Sequence, residues 1–202
     1  MFIKICGMTR RSDIDIAKKY GADAVGFIFA TSPRQVTPEH VKSITTGLSG
    51  ILKVGVFVDE SLDRIRKIKN ECNLDIIQLH GDESPEYCDA LGGRLFKALR
   101  AKNAAILQSF HDYPENVKLL LDTYVTGKKG GTGKSIDFKI LDQIADFSRV
   151  ILAGGIGVDN AADLVRRYKP FGLDVNSKVE SEPGIKDENK IVMFMERLNA
   201  ES

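Results

Sequence analysis

Short apolar runs alternate with stretches of helical spacing along almost the whole chain, and this alternation limits the possible folds more than any other feature. The runs cover 2-6, 24-29, 53-58, 75-79, 94-99, 117-121, 149-153 and 171-175. Runs such as Val150-Ile151-Leu152-Ala153 show little polar alternation, as expected of strands covered on both faces in a parallel sheet. The first spacer opens with a capping-type Ser12, places apolar groups at Ile14, Ile16, Ala17 and Tyr20, and stops at Gly21, which predicts a short amphipathic helix. The same logic predicts helices near 38-47, 61-72, 84-91, 102-110, 137-146, 158-168 and 187-198, with Pro38 and Pro85 where a first helical turn tolerates proline. About eight strand–helix units imply an α/β chain folded as a (β/α)₈ barrel of the TIM type, one domain spanning 1-202; an open doubly wound sheet is the alternative.

Charge and cysteine content exclude several classes of function. With 29 basic and 28 acidic residues the formal charge is +1, so no global field would draw in nucleic acid or an anionic membrane. Cys6, Cys72 and Cys88 are odd in number and lack CxxC spacing, which argues against a disulfide framework or a zinc site and for the cytoplasm. No leader of signal-peptide type and no apolar run of about 18 residues is present.

In either α/β architecture chemistry gathers at the carboxyl ends of the strands. Read in order, those ends carry Cys6-Gly7, Ser32-Pro33-Arg34, Asp59, Gln78 with His80-Gly81, Arg100, Asp122, Gly154-Gly155 and Asn176-Ser177. Cys6 and Asp122 are the candidate base or nucleophile and its distant partner acid. Gln78 and His80 lie two apart and so share a face. Gly154-Gly155, followed by Ile156-Gly157 and a helix, can turn main-chain N–H groups toward a phosphate, and the loops after a barrel's last two strands are a frequent phosphate site. The cluster Gly127 to Ser135 ends as a P-loop does, but Lys128 stands where the leading glycine belongs and the helix begins too late, so a lid over an anionic substrate fits better. Cys72 and Cys88 fall on helical stretches and are expected to pack; His40 and His111 carry no motif.

Lys4-Ile5-Cys6-Gly7-Met8-Thr9, Gly21-Ala22-Asp23-Ala24-Val25-Gly26-Phe27, Ser32-Pro33-Arg34, Gln78-Leu79-His80-Gly81, Leu121-Asp122, Gly130-Gly131-Thr132-Gly133, Leu152-Ala153-Gly154-Gly155 and Gly172-Leu173-Asp174-Val175 follow one another along the chain. In content and order this set resembles the phosphoribosylanthranilate isomerase family. The resemblance implies a (β/α)₈ barrel, a monomer or homodimer, that performs a cofactor-free and metal-free Amadori rearrangement of a small phosphosugar substrate in tryptophan biosynthesis. Carried onto this chain, it implies Asp122 as general acid and Cys6 as general base. Arg34 would hold the anthranilate carboxylate, with Gln78, His80 and Asp174 lining the substrate pocket. Phosphate would lie among Gly131, Thr132, Gly133, Gly154, Gly155, Asn176 and Ser177. Asp122 must keep its proton and Cys6 must lose one, with Lys4 or the substrate iminium as the source of positive charge. The chain departs from the family at Asn176-Ser177-Lys178-Val179-Glu180, where two serines and a glycine usually precede valine and glutamate. Lys178 would be strained there if the loop demands glycine's positive φ, or would instead add an ammonium to the phosphate site. The related histidine-pathway isomerase would carry aspartate in place of Cys6, indole-3-glycerol phosphate synthase would want a catalytic lysine among the strand ends, and a non-catalytic phosphosugar binder would not need the acid, the base and the carboxylate clamp together.

Overall fold

Eight parallel strands close on themselves in sequence order, so the open-sheet alternative falls. They are β1 (Phe2–Ile5), β2 (Ala24–Ile28), β3 (Leu52–Phe57), β4 (Ile76–Leu79), β5 (Leu95–Arg100), β6 (Lys118–Asp122), β7 (Val150–Ala153) and β8 (Gly172–Val175). The computed structural model describes residues 1–100, 104–122 and 138–200. Helices α1 (Arg11–Lys19), α2 (Pro38–Thr45), α3 (Leu62–Cys72), α4 (Pro85–Leu91), α5 (Phe138–Leu141) and α6 (Ala161–Tyr168) lie in the crossovers, and α7 (Glu188–Asn199) follows the last barrel strand. Among the described residues no helix is long and apolar enough to cross a membrane.

The prolines sit where expected, because Thr37 and Ser84 cap the two helices by accepting from the N–H groups of His40 and Tyr87. Ser12 does not cap α1, which starts one residue earlier with its hydroxyl turned to Asp13. The segment expected as a helix at 102-110 is a 3-10 helix over Ala104–His111. Its three-residue period puts Leu107 and Phe110 on one edge against the core. Past Leu141, Asp142 is drawn out to Arg167 and Tyr168 at 2.6 and 2.7 Å, and α5 ends there. Helix α6 starts three residues later than expected because Asn160 is tied into the preceding loop, accepting from Gly157 N at 2.9 Å and donating to Gly155 O at 3.1 Å.

Alternate residues of each strand serve two layers. Ala24, Val54, Ile76, Phe96, Ala98, Leu120, Ile151 and Ala153 fill the barrel interior, while their neighbours pack outward under the helices. At the amino-terminal end Phe2 meets Phe96 edge-on at 5.7 Å and stacks on Phe171 at 5.5 Å. Phe96, the buried ring, contributes roughly 1.5–3 kcal/mol, and the two half-buried rings less. The interior turns polar toward the other end, where Lys4, Gln78 and Asp174 are buried. Pairing of β1 with β8 sets Lys4 beside Asp174.

Beyond β8 comes a feature absent from the sequence reading: a two-stranded hairpin, β9 (Glu180–Glu182) and β10 (Ile185–Lys186). It brings two charged side chains under the rim of the barrel.

Candidate active site

Cys6 follows β1 directly, with its N–H donated to Val175 O at 2.8 Å and only 4% of its surface exposed. Lys4, two residues earlier on the same face, is fully buried and donates to Asp174 Oδ2 at 2.8 Å. Opposite them β2 carries Gly26. A Cβ there would lie 2.6 Å from Cys6 Sγ and 3.0 Å from Lys4 Cε, so the missing side chain is the space both groups occupy. Burial pushes the Cys6 thiol up, the Lys4 ammonium pulls it down, the Asp174 carboxylate pushes up again, and the thiol ends above its ordinary value. Burial would depress Lys4, but Asp174 and Cys6 outweigh it and its pKa is raised.

Arg34 stands on the turn after β2, its N–H donated to Ser32 Oγ at 3.1 Å. Its stem crosses Gly7, where φ is +77° and a Cβ would come within 2.7 Å of both Arg34 Cδ and Asn176 Oδ1. The guanidinium is paired side-on: Nε lies 2.8 Å from Glu180 Oε1 and Nη2 lies 2.6 Å from Oε2. That pairing leaves the end-on edge, Nη1 with the second hydrogen of Nη2, to meet another carboxylate. Lys186 completes the cluster, donating to Glu180 Oε1 at 2.8 Å and to Asn176 Oδ1 at 2.9 Å. Burial alone would raise the Glu180 carboxyl, yet the bonds from Arg34 and Lys186 hold it below its ordinary value. Asn176 thus keeps its amide nitrogen as the available donor, its oxygen being taken by Lys186.

On the other side of the mouth Asp122 is the last residue of β6, and His80 follows β4. His80 Nε2 is 3.3 Å from Asp122 Oδ2, and His80 Nδ1 is 3.0 Å from Gln78 Nε2. With the Gln78 amide nitrogen placed as donor to Nδ1, the ring proton falls on Nε2, facing the carboxyl. Gln78 and His80 therefore do share the inner face. Their loop is pinned from beneath: Glu83 accepts from Asp59 N at 2.9 Å, Gly81 N at 3.0 Å and Lys97 Nζ at 2.7 Å. Among the described residues, Gln78 Oε1 and Asp174 Oδ1 are the buried side-chain polar atoms without a hydrogen-bond partner. Buried acceptors are normally satisfied, so two orphans in one well mark where a bound molecule would donate.

Gly154 and Gly155 take φ values of +82° and +74° in the loop after β7. Ser177 opens the single turn Ser177–Val179 after β8. The strain foreseen for Lys178 does not arise: the non-glycine residues with positive φ are Asp59, Asn73 and Lys169 among the described residues. Lys178 instead lays its stem over Gly157, where a Cβ would come within 2.9 Å of its own Cβ. Gly131, Thr132 and Gly133, with the rest of the expected lid, lie outside the described residues. Cys72 and Cys88 are buried on α3 and α4, burial pushing Cys88 up to about 11, as befits packing residues.

The sequence reading missed Glu180, Lys186, Gly26 and the Glu83–Lys97 pair as parts of this site. Lys4 had a signal, a cation in step with Cys6 inside an apolar strand. Glu180 had its place in the motif after β8 but no assigned role, and Lys186 had nothing beyond ordinary polar spacing.

The family model described as PRAI: N-(5'phosphoribosyl)anthranilate (PRA) isomerase matches residues 3–197. An N-(5'-phosphoribosyl)anthranilate isomerase from Pelobacter propionicus is 41% identical over 195 residues, 96% of this chain and 93% of that protein. The crystal structure of phosphoribosyl anthranilate isomerase from Thermotoga maritima aligns with TM-score 0.89 and 33% identity, covering 99% of both chains. A phosphoribosyl anthranilate isomerase in complex with reduced 1-(o-carboxyphenylamino)-1-deoxyribulose 5-phosphate aligns with TM-score 0.84 and 30% identity, covering 99% of both chains.

Proposed function

The chain belongs to the N-(5'-phosphoribosyl)anthranilate isomerase family, an aldose–ketose isomerase of tryptophan biosynthesis, and on that premise we propose that Asp122 and Cys6 are the acid and base of its rearrangement. Asp122 protonates the furanose ring oxygen of N-(5'-phosphoribosyl)anthranilate, the ring C–O bond breaks, and the anilino nitrogen's lone pair forms the iminium. Cys6, as thiolate, takes the proton from C2, and the electrons of that C–H bond neutralise the iminium to give the enolamine. Tautomerisation to the ketone completes 1-(2-carboxyphenylamino)-1-deoxyribulose 5-phosphate.

The other groups bind and orient. The end-on edge of Arg34 suits the anthranilate carboxylate, because Glu180 occupies only the side-on edge. Asp174 Oδ1, an acceptor without a partner, suits the substrate's amine or a sugar hydroxyl. Gly154, Gly155, Asn176 and Ser177 suit the phosphate, with Gly131, Thr132 and Gly133 as further members. His80 fixes the direction of the Asp122 carboxyl through Nε2. We assign the whole chain to one catalytic domain working without a cofactor, and its three unpaired cysteines fit a cytoplasmic address.

The observation that carries this reading is the pairing of unlike environments in one mouth: a thiol and an ammonium from β1 meeting over Gly26, and a carboxyl at the end of β6 beside the His80 imidazole. The test is to generate N-(5'-phosphoribosyl)anthranilate in the cuvette and follow the loss of its fluorescence. Wild-type protein should turn it over, and Cys6→Ser and Asp122→Asn should each lower kcat by about 10²–10⁴-fold. Turnover that survives either replacement breaks the assignment of that residue.

A further inference from the structure

We propose that Lys4 is the positioning residue that brings ionisation of Cys6 within reach, that Asp174 aims it, and that the hollow left by Gly26 is where sulfur and ammonium meet. This inference rests on the reading of Cys6 as the base.

Three observations carry it. First, Lys4 is fully buried inside the barrel with one carboxylate 2.8 Å away. A buried ion pair is weak evidence for a stabilising role, since apolar side chains of similar volume commonly serve stability as well or better. Second, the point a Gly26 Cβ would fill lies 2.6 Å from Cys6 Sγ and 3.1 Å from Lys4 Nζ. A side chain on β2 at this level would part the two, whereas the layer beneath is filled by Ala24 and its neighbours. Third, the other charges that bear on Cys6 are committed elsewhere or have the wrong sign. Lys186 on β10 and Arg34 after β2 both bind Glu180, and Asp174 on β8 is an anion that opposes a thiolate. Lys4 exerts the largest downward pull on the thiol, against burial and Asp174.

The proton inventory is simple. The S–H bond of Cys6 breaks with its electron pair left on sulfur, the proton passes to solvent, and Lys4 keeps all three of its own protons beside the new thiolate. The thiolate then forms an S–H bond with the proton taken from C2. Asp174 accepts one N–H of Lys4 through Oδ2 and so directs the remaining two.

Alkylation of Cys6 by iodoacetamide, followed across pH by the mass of the Cys6-containing peptide in the full chain, separates this from a packing role for Lys4. Lys4→Met should move the midpoint up by about one to three pH units and lower kcat at neutral pH by about tenfold or more. Asp174→Asn should move the midpoint down, because it removes the opposing anion and leaves Lys4 fully charged. Should either single variant fail to fold, Lys4→Met/Asp174→Asn removes both charges without stranding one. Its midpoint should remain above that of the wild type. Opposite shifts in the single variants, or an upward shift in the double variant, uphold the proposal. Unmoved midpoints, or single-variant shifts of the same sign, overturn it. If Lys4→Met leaves the midpoint in place while Cys6→Ser is inactive, only the role of Lys4 falls; if Cys6→Ser retains wild-type turnover, the underlying reading falls as well.

Discussion

Around Cys6 the barrel gathers Lys4, Asp174, Arg34, Glu180 and Lys186, whereas Asp122 meets an imidazole backed by the amide of Gln78. The β1–β8 wall is a lattice of charged side chains around the thiol; on the β4–β6 wall the carboxyl meets an imidazole and an amide, and the Glu83–Lys97 pair sits beneath their loop. A buried thiol can ionise only where a full positive charge offsets desolvation, so its wall must carry ions and the counter-ions that hold them. Asp122 is instead oriented by an imidazole that is itself held by the Gln78 amide. The difference teaches that one well can give its two candidate proton-transfer groups neighbours of different kinds, ions around the thiol and an imidazole backed by an amide beside the carboxyl.

Filling the hollow on the charged wall should have the largest effect. Gly26→Ala places a methyl 2.6 Å from Cys6 Sγ, so either sulfur or ammonium must move. A shift of this order can cost about a hundredfold in rate, and steady-state kinetics should show it in kcat with KM little changed. Wild-type kcat in this variant would mean that the contact between the two groups is dispensable.

Next comes the charge lattice itself. Glu180→Gln removes the anion that Arg34 and Lys186 share, and KM should rise roughly ten- to thirtyfold with a smaller change in kcat, since a clamp orients substrate in ground and transition states alike. It should also destabilise the fold by about 3 kcal/mol, because two cations lose their common partner. The pH dependence has a definite sign. The Glu180 carboxyl is depressed in the folded state, so its contribution is fully present above the unfolded value of about 4.3 and is lost as pH falls through the lower folded value. Denaturant titrations should therefore show a steeper loss of stability on the acid side in wild type than in Glu180→Gln. Parallel curves would place the stabilising charge elsewhere.

The β4–β6 wall should be the more forgiving. His80→Asn keeps a donor but shortens it, and a loss of about three- to tenfold in kcat is expected from one weakened hydrogen bond to a carboxyl. A fall as large as that of Asp122→Asn would show that the imidazole moves protons itself, and the contrast between the walls would vanish.

Much of the fold was legible because barrel strands are covered on both faces and so read as apolar runs; β4, expected at 75-79, forms over Ile76–Leu79. The strand-end rule then collected Cys6, Asp122, Gln78 and His80, since position on a strand fixes direction. What escaped was set by distance along the chain. Glu180 and Arg34 are 146 residues apart in sequence, and nothing in the local spacing of Glu180 or Lys186 announces burial. Gly26 was quoted as part of a motif, yet its importance lies in the volume it leaves to Cys6 and Lys4. Lys178, which broke the expected motif, carries no left-handed strain because the turn it occupies does not ask for a positive φ.

The rings of Phe2, Phe96 and Phe171 stop the far end of the barrel. Among the described residues the buried polar groups Lys4, Gln78 and Asp174 face the opposite end, so a glycosylamine entering there and a ketose leaving there would share one route. Product held on that route would compete with incoming substrate, and its release would then belong to the kinetics as much as the chemistry at the floor.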